Sequence, residues 1–471
     1  MTPASDPPGE PPGAARPPGP VPSIHARRGL RLIPLIGVIY CLSAAGPAGI
    51  EAMVPASGPG LTLVLILLLP IFYGLPLGLA SGEMNSRYPV EGGYYRWIKE
   101  VFGDFWGFQA GWWSWLGAFF DGALYAVWVA EYCDPFLPEA WVRTAHWVVP
   151  IVVIAICTWI NVRGIEVVGW STMLFNIFLL SPFVILCILG LSHWQHNPML
   201  PIKPPGKGWL PALGVGALMG MWNYSGYESL STAAEEIENP RRNYLRAILV
   251  AILITVPTYI IPLAIGLAAT PDWTTINEGS FTDMGRIIGG PLLALWIAAA
   301  AIVSNFALSN VNLLAYSRVP FAMAQDGFLP AGLTRLHRKF GTPFVSLIAT
   351  AICYCLLTFM NVEQLTSIEM WVFSPLYVMI YLALWRLRCR PAGAGSEGEG
   401  KGYVIPAGRR GIWLVILPPI ILIVMAIGGS AGEYLWTGGS AILSGFLLYP
   451  LAAWWKRRGD VSRTRERGAP S

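Results

Sequence analysis

The sequence predicts an all-α integral membrane protein with twelve transmembrane helices, and three observations carry that prediction. The 471-residue chain is 54% hydrophobic and 12% charged, with a mean hydropathy of +0.53. A soluble domain of average make-up carries roughly 25% charged residues. Apolar stretches of ~20 residues, the length that crosses a bilayer as a helix, recur along the chain. The basic residues divide unevenly between the connections. With the N-terminus inside, all of the 31 Lys and Arg except Arg143, Lys203, Lys207 and Arg286 fall on the inner side, as the positive-inside rule requires. Both termini are therefore expected in the cytoplasm of a cell whose plasma membrane holds the protein.

Taken in order, the spans read 31–54, 61–83, 104–132, 143–162, 169–192, 209–234, 245–269, 288–317, 343–361, 366–387, 411–429 and 433–455. Residues 1–30 are polar and rich in proline, with no short apolar segment ahead of a small-residue cleavage site. They read as a disordered cytoplasmic tail and not as a signal peptide. Residues 391–410, containing PAGAGSEGEGKG, read as a cytoplasmic loop, 411–456 as two appended helices, and 457–471 as a second disordered tail. Cys41, Cys133, Cys157, Cys187, Cys353, Cys355 and Cys389 lie mostly inside spans without zinc or disulfide spacing, so reduced structural thiols are expected. Membrane topology accounts for the basic excess, and no nucleic-acid partner is implied.

Two spans are interrupted. The first contains SAAGPAGIEAM (43–53), which sets Gly46, Pro47 and Gly49 just ahead of Glu51. The sixth contains MWNYSGYESLSTAAEE, in which Ser225, Gly226, Tyr227 and Glu228 separate apolar stretches. Lipid offers no water to loosened backbone groups, so broken backbone at membrane depth survives only against protein or a wet cavity. Spans one and six lie five apart and cross in opposite directions. Interrupted helices at equivalent places in antiparallel halves point to an inverted-repeat transporter with a midplane site. The repeats would be residues 31–192 and 193–390. Either break alone is equally an ordinary Gly/Pro kink.

A carboxylate near the centre of a membrane helix costs about 2.5–3.5 kcal/mol on insertion scales. Glu51 follows the first break, Glu228 follows the second, and Asp121 lies mid-span in FFDGALYAVW. Glu369 sits toward the outer end of span ten, where its side chain is expected to reach the interface. No Lys or Arg lies at the membrane centre to pair with these acids, so the matching charge is a substrate, a proton or a metal ion. Glu51 and Glu228 also stand where a carboxylate caps free N–H groups of a restarting helix. Asp121 has no such structural duty, and Tyr125, four residues on, shares its helix face. Trp222 and Tyr227 flank the second break, where aromatic faces can hold an organic ammonium. The five histidines (His25, His146, His193, His196, His337) lie in tails, loops or span ends, and no HExxH, nucleotide loop or Ser/His/Asp arrangement occurs. Neither an enzyme nor a bound cofactor or metal is expected.

GEMNSRYPVEGGYYRWIKEVFGDFWGFQAGW (82–112) and SRVPFAMAQDGFLP (317–330) resemble motifs of the amino acid–polyamine–organocation transporter superfamily. The resemblance spans about residues 30–455 and implies a leucine-transporter-type five-plus-five inverted repeat. Amino-acid permeases of that superfamily commonly carry a Gly-Ser-Gly-type break whose amides hold the substrate carboxylate. Here the break has no serine, and Pro47 has no N–H to donate. The chain is more similar to the polyamine-uptake branch of plants and protists. Gly46-Pro47-Ala48-Gly49-Ile50-Glu51 matches that branch in span one, and Asp121-Gly122-Ala123-Leu124-Tyr125 matches it in span three. Its Trp-Asp pair in span six stands as Tyr227-Glu228 here. The resemblance implies a secondary transporter of organic cations, polyamines first, with Glu51, Asp121 and Glu228 holding ammonium groups beside Gly46, Gly49, Tyr125, Trp222, Gly226 and Tyr227. A permease for cationic or other amino acids and a non-transporting amine sensor are the alternatives. Proton and sodium coupling both stay open.

Overall fold

The computed structural model describes residues 30–44, 46–90, 92–163, 168–276, 279–360, 362–389, 403–406 and 408–468. The expected N-terminal tail and most of the 391–410 loop lie outside these residues. Among the described residues every regular element is a helix, apart from one isolated backbone bridge between Leu30 and Ile237. Eight helical stretches are long and apolar enough to cross a membrane, and Leu32–Ser43 and Phe344–Leu357 are shorter apolar helices. Large apolar side chains stand outward on these stretches, among them Ile151, Leu253, Leu292, Leu414 and Leu447. Apolar area of that extent on a soluble protein would drive association, whereas a bilayer accepts it. The protein is an integral membrane protein.

Helix α1 (Leu32–Ser43) stops at the first break, and the chain resumes in a 3-10 turn, Ile50–Ala52, leading to α2 (Met53–Ser57). Gly58, at φ +84°, turns the chain into α3 (Pro59–Leu69), with proline at its first position, where no N–H is needed. A π-helical stretch from Pro70 to Gly74 joins α3 to α4 (Leu75–Arg87). Pro70 and Pro76 each withhold an amide there, and the widened turn accommodates the loss. After the largely buried helix α5 (Gly93–Phe102), the 30-residue α6 (Asp104–Cys133) runs through the centre of the bundle over about 45 Å. Helices α7 (Glu139–Arg163) and α8 (Val168–Gly190) complete the first half.

The second half opens with α9 (Trp209–Asn223), which stops at the second break. The chain resumes as a 3-10 stretch, Ser229–Glu236. There follow α10 (Pro240–Ala269), α11 (Ser280–Tyr316), α12 (Arg318–Gln325), α13 (Phe344–Leu357) and α14 (Val362–Cys389). Gly290, at φ +75° before Pro291, separates a lead-in segment from the membrane-length part of α11. Two further apolar stretches, Trp413–Gly432 and Tyr434–Arg457, close the fold. The Ile405 N–H meets Glu83, Ser430 accepts from Trp371 Nε1, and Lys456 pairs with Asp104. Helical hydrogen bonding continues to Gly468, where a disordered tail was expected. Extending a nucleated helix adds a hydrogen bond per residue without a new nucleation cost.

Helix α6 packs against both α11 and α14 at the centre, and α1 packs on α8 and α10. At the face where α4, α5 and α12 end, charges are paired. Buried Glu83 accepts from Arg388 (2.5 and 2.9 Å) and Arg87 (2.8 Å). Asp326 accepts from Tyr95 (2.5 Å), Arg96 (2.6 Å) and Lys99 (2.6 Å). Burial works against the Asp326 charge, but the Arg96 guanidinium and the Lys99 ammonium outweigh it and hold this carboxyl below the usual aspartate value. A folded-state pKa below the unfolded one contributes stability that is present above about pH 4 and lost as pH falls through the folded value. Asp326→Asn is therefore expected to lower the melting temperature at neutral pH and to flatten its fall below pH ~4. Thermal melts between pH 3 and pH 7 check this, and equal melts at pH 7 would show that the network adds no net stability.

Candidate functional site

The two breaks meet. At the first, Ala44 N–H still bonds to Tyr40 O, but Gly46 (φ +95°) and Gly49 (φ +98°) take the left-handed backbone that glycine tolerates. At the second, Gly226 (φ +91°) does the same, and a Cβ on it would stand 2.6 Å from the backbone oxygen of Leu42. Only glycine lets the second break approach the end of α1 so closely. Freed backbone groups find partners in side chains: Tyr259 donates to Asn223 O at 3.2 Å, and Tyr244 to the oxygens of Tyr227 (2.9 Å) and Glu228 (3.1 Å).

A cavity of about 30 Å³ lies between the breaks. Leu42, Ser43, Ala44 and Ala48 line it from the first break, and Trp222, Asn223, Ser225, Gly226 and Ser229 from the second. Helix α6 adds Asp121, Tyr125 and Trp128, and α10 adds Tyr259. Helix α11 adds Leu308, Asn312 and Tyr316, and α14 adds Glu369 and Tyr377. The volume holds about two water molecules. An extended amine enters only if the wall moves. Part of that wall is aromatic: Trp222 lies with its ring centre 5.5 Å from Trp128 and 6.2 Å from Tyr125.

Two acids face this space. Asp121 is 6% exposed; its Oδ2 accepts from Asn312 Nδ2, and its Oδ1 has no protein partner. Tyr354 in turn donates to Asn312 Oδ1 at 2.5 Å, which orients the amide. Glu369 is 4% exposed and accepts from the Trp222 indole N–H at 3.0 Å. The two carboxyl groups are neighbours, and among the described residues no Lys, Arg or His lines the cavity. Such a pair calls for positive charge, either a proton or an ammonium group.

Of the residues singled out in the sequence, Asp121, Tyr125, Trp222 and Gly226 line the cavity, whereas Glu51, Glu228, Tyr227, Gly46 and Gly49 stand behind its wall. Glu51 is fully buried and accepts from the N–H of Gly49 (2.8 Å) and of Gly279 (3.1 Å). Glu228 is also fully buried; its Oε1 accepts from Tyr377 at 3.1 Å, and its Oε2 has no hydrogen-bond partner among the described residues. Tyr227 packs between α1 and α10. Gly46 faces Leu179 of α8, and Gly49 faces the Trp128 ring. The expectation that Glu369 reaches the interface is corrected, because α14 begins at Val362 and carries this residue two turns deep. A four-residue recurrence, Glu369–Phe373–Tyr377, was the available signal for an inward face. Asn312 carries no charge and nothing marked it.

An acidic, aromatic cavity between two helix breaks defines a small-molecule site of the kind found in membrane transporters. The chain belongs to the amino acid permease family, which it matches over residues 32–453. It is 31% identical to the polyamine transporter PUT1 of Oryza sativa subsp. japonica over 92% of this chain and 79% of that protein. It is 28% identical to the polyamine transporter RMV1 of Arabidopsis thaliana over 93% of this chain and 88% of that protein. The serine/threonine exchanger SteT of Bacillus subtilis (strain 168) is 27% identical over 70% of this chain and 74% of its own length.

Proposed function

We propose that this protein is a secondary transporter of polyamines such as putrescine and spermidine. The observation that carries the reading is the neighbouring pair Asp121 and Glu369, buried at a cavity with no cationic side chain in its lining. One ammonium group of the substrate lies at this pair, and Tyr125, Trp128 and Trp222 supply aromatic faces to it. Helices α1 and α9 both end at this cavity, and the negative ends of their dipoles favour a cation there. Glu51 and Glu228, which the sequence nominated as direct ligands, act from behind the wall by holding the broken backbone and Tyr377. The names of the plant relatives support the same substrate class.

In this reading the chain crosses the membrane twelve times, and residues 31–192 and 193–390 are inverted repeats that rock around the cavity. Both termini face the cytoplasm across a plasma membrane, so a cysteine at Ser396 is labelled from outside only after permeabilisation. An inside-negative potential favours uptake by about 2.3 kcal/mol per charge per 100 mV, and a proton on a cavity carboxyl is the coupling ion. The test is uptake of radiolabelled spermidine into liposomes holding the purified protein, with unlabelled competitors. Putrescine and spermidine are expected to compete, and alanine and leucine not. Tight competition by neutral amino acids without competition by polyamines would favour the amino-acid permease reading. Binding without uptake would leave a sensor.

A further inference from the structure

We infer that Glu51 is a built-in anion that fills the amide site of the first helix break and thereby excludes substrates bearing an α-carboxylate. This rests on reading the cavity as the substrate site. The general chemistry is that backbone N–H groups freed where a membrane helix restarts attract anionic groups of a substrate. In this chain those donors already have an anion. Gly49 N–H donates to Glu51 Oε2 at 2.8 Å, and Gly279 N–H, at the start of α11, donates to Oε1 at 3.1 Å. Glu51 is fully buried, and both of its oxygens are engaged. The site is adjacent to the cavity, since Ala48, whose carbonyl carbon carries the Gly49 nitrogen, is part of the lining. The residue before it, Pro47, has no N–H to offer.

The consequence for selection follows from charge. An amino acid entering the cavity would present its carboxylate to donors that Glu51 holds, with Asp121 and Glu369 nearby as further acids. The Gly49 and Gly279 amides are already taken, and like charges within a few ångströms are repelled. A polyamine lacks the carboxylate, and its ammonium groups meet Asp121 and Glu369. Glu51 is thus a specificity-determining residue that need not touch the substrate. A purely structural cap would behave differently, because removing it would destabilise the break without changing which ligands bind.

The test uses the full-length protein and a ligand that can replace the lost side chain. Thermal melts of the purified wild type and of Glu51→Ala are recorded with glycine, with methylamine and with neither. Glycine is expected to raise the melting temperature of Glu51→Ala and leave the wild type unmoved, and methylamine is expected to restore nothing. Equal shifts in both proteins, or no shift with glycine in the variant, overturn the inference. Should Glu51→Ala fail to fold, Glu51→Gln keeps an acceptor for Gly49 N–H without the charge. Leucine is then expected to inhibit spermidine uptake at a concentration at least about tenfold lower than in the wild type, and unchanged selectivity overturns the inference. Failure of both variants to fold even with glycine present throughout also overturns it, since Glu51 would then serve the fold alone. If the wild type carries no spermidine, it is the polyamine reading that has failed, and the melts still judge Glu51.

Discussion

Asp121→Asn is expected to weaken spermidine binding at least ~30-fold while leaving most of the protein folded. Asp121 sits in the middle of a continuous helix, so it caps no break, and asparagine preserves its size and its contact with Asn312. What disappears is the charge. Truncating one partner of a desolvated, hydrogen-bonded charge pair costs about 2–5 kcal/mol, much of it because the other charge is left unpaired. At about 1.4 kcal/mol per decade, the lower bound is the ~30-fold quoted. Glu369→Gln is expected to act similarly, because it removes the second charge while its amide oxygen still accepts from Trp222. Both groups serve one ammonium, so the double variant should lose less than the sum of the single losses. Calorimetry with spermidine on the four proteins, alongside thermal melts, measures this. Wild-type affinity in Asp121→Asn would remove Asp121 from the substrate's ligands. A large drop in its melting temperature would instead assign it to the chain Tyr354–Asn312–Asp121.

The two breaks and Asp121 were legible because each violates the rule of an unbroken apolar helix. Gly46, Pro47, Gly49 and Gly226 are local signals; the backbone they permit is fixed within a few residues. Which acid faces the cavity is not a local property. Glu51 and Glu228 follow their breaks at the same offset from a glycine, and the sequence placed both at the substrate. The structure turns one to Gly279 and the other toward Tyr377, contacts that depend on how α11 and α14 pack. Glu369 was misplaced for the converse reason. The apolar run of the tenth span begins near residue 366, which sets Glu369 at its end, whereas α14 starts at Val362 and carries the residue deeper. Asn312 and Tyr316 were invisible because neutral side chains inside an apolar helix carry no signal of cost. Charge marks that a partner is needed, and only packing decides which partner.

Gly226→Ala is expected to disable the site through the backbone, without changing any charge. Two penalties combine. The left-handed φ of +91° is ordinary for glycine and strained for alanine, at about 1–2 kcal/mol. The added Cβ would also stand 2.6 Å from Leu42 O and 3.5 Å from Ser43 Cα. Leu42 O belongs to the end of α1 and cannot swing aside as a flexible side chain would. Overpacking of this kind costs typically about 1–3 kcal/mol, so the total falls near 2–5 kcal/mol. Relief requires the two breaks to move apart, and Ser43, Ala44, Ser225 and Gly226 all line the cavity. Spermidine affinity is therefore expected to fall by more than tenfold together with the melting temperature. Gly432→Ala is the control, because a Cβ there meets nothing within 4 Å, and it should leave both readouts near wild type. A Gly226→Ala protein with unchanged melting and binding would mean that the breaks do not need to touch, and the shared cavity would lose its geometric basis.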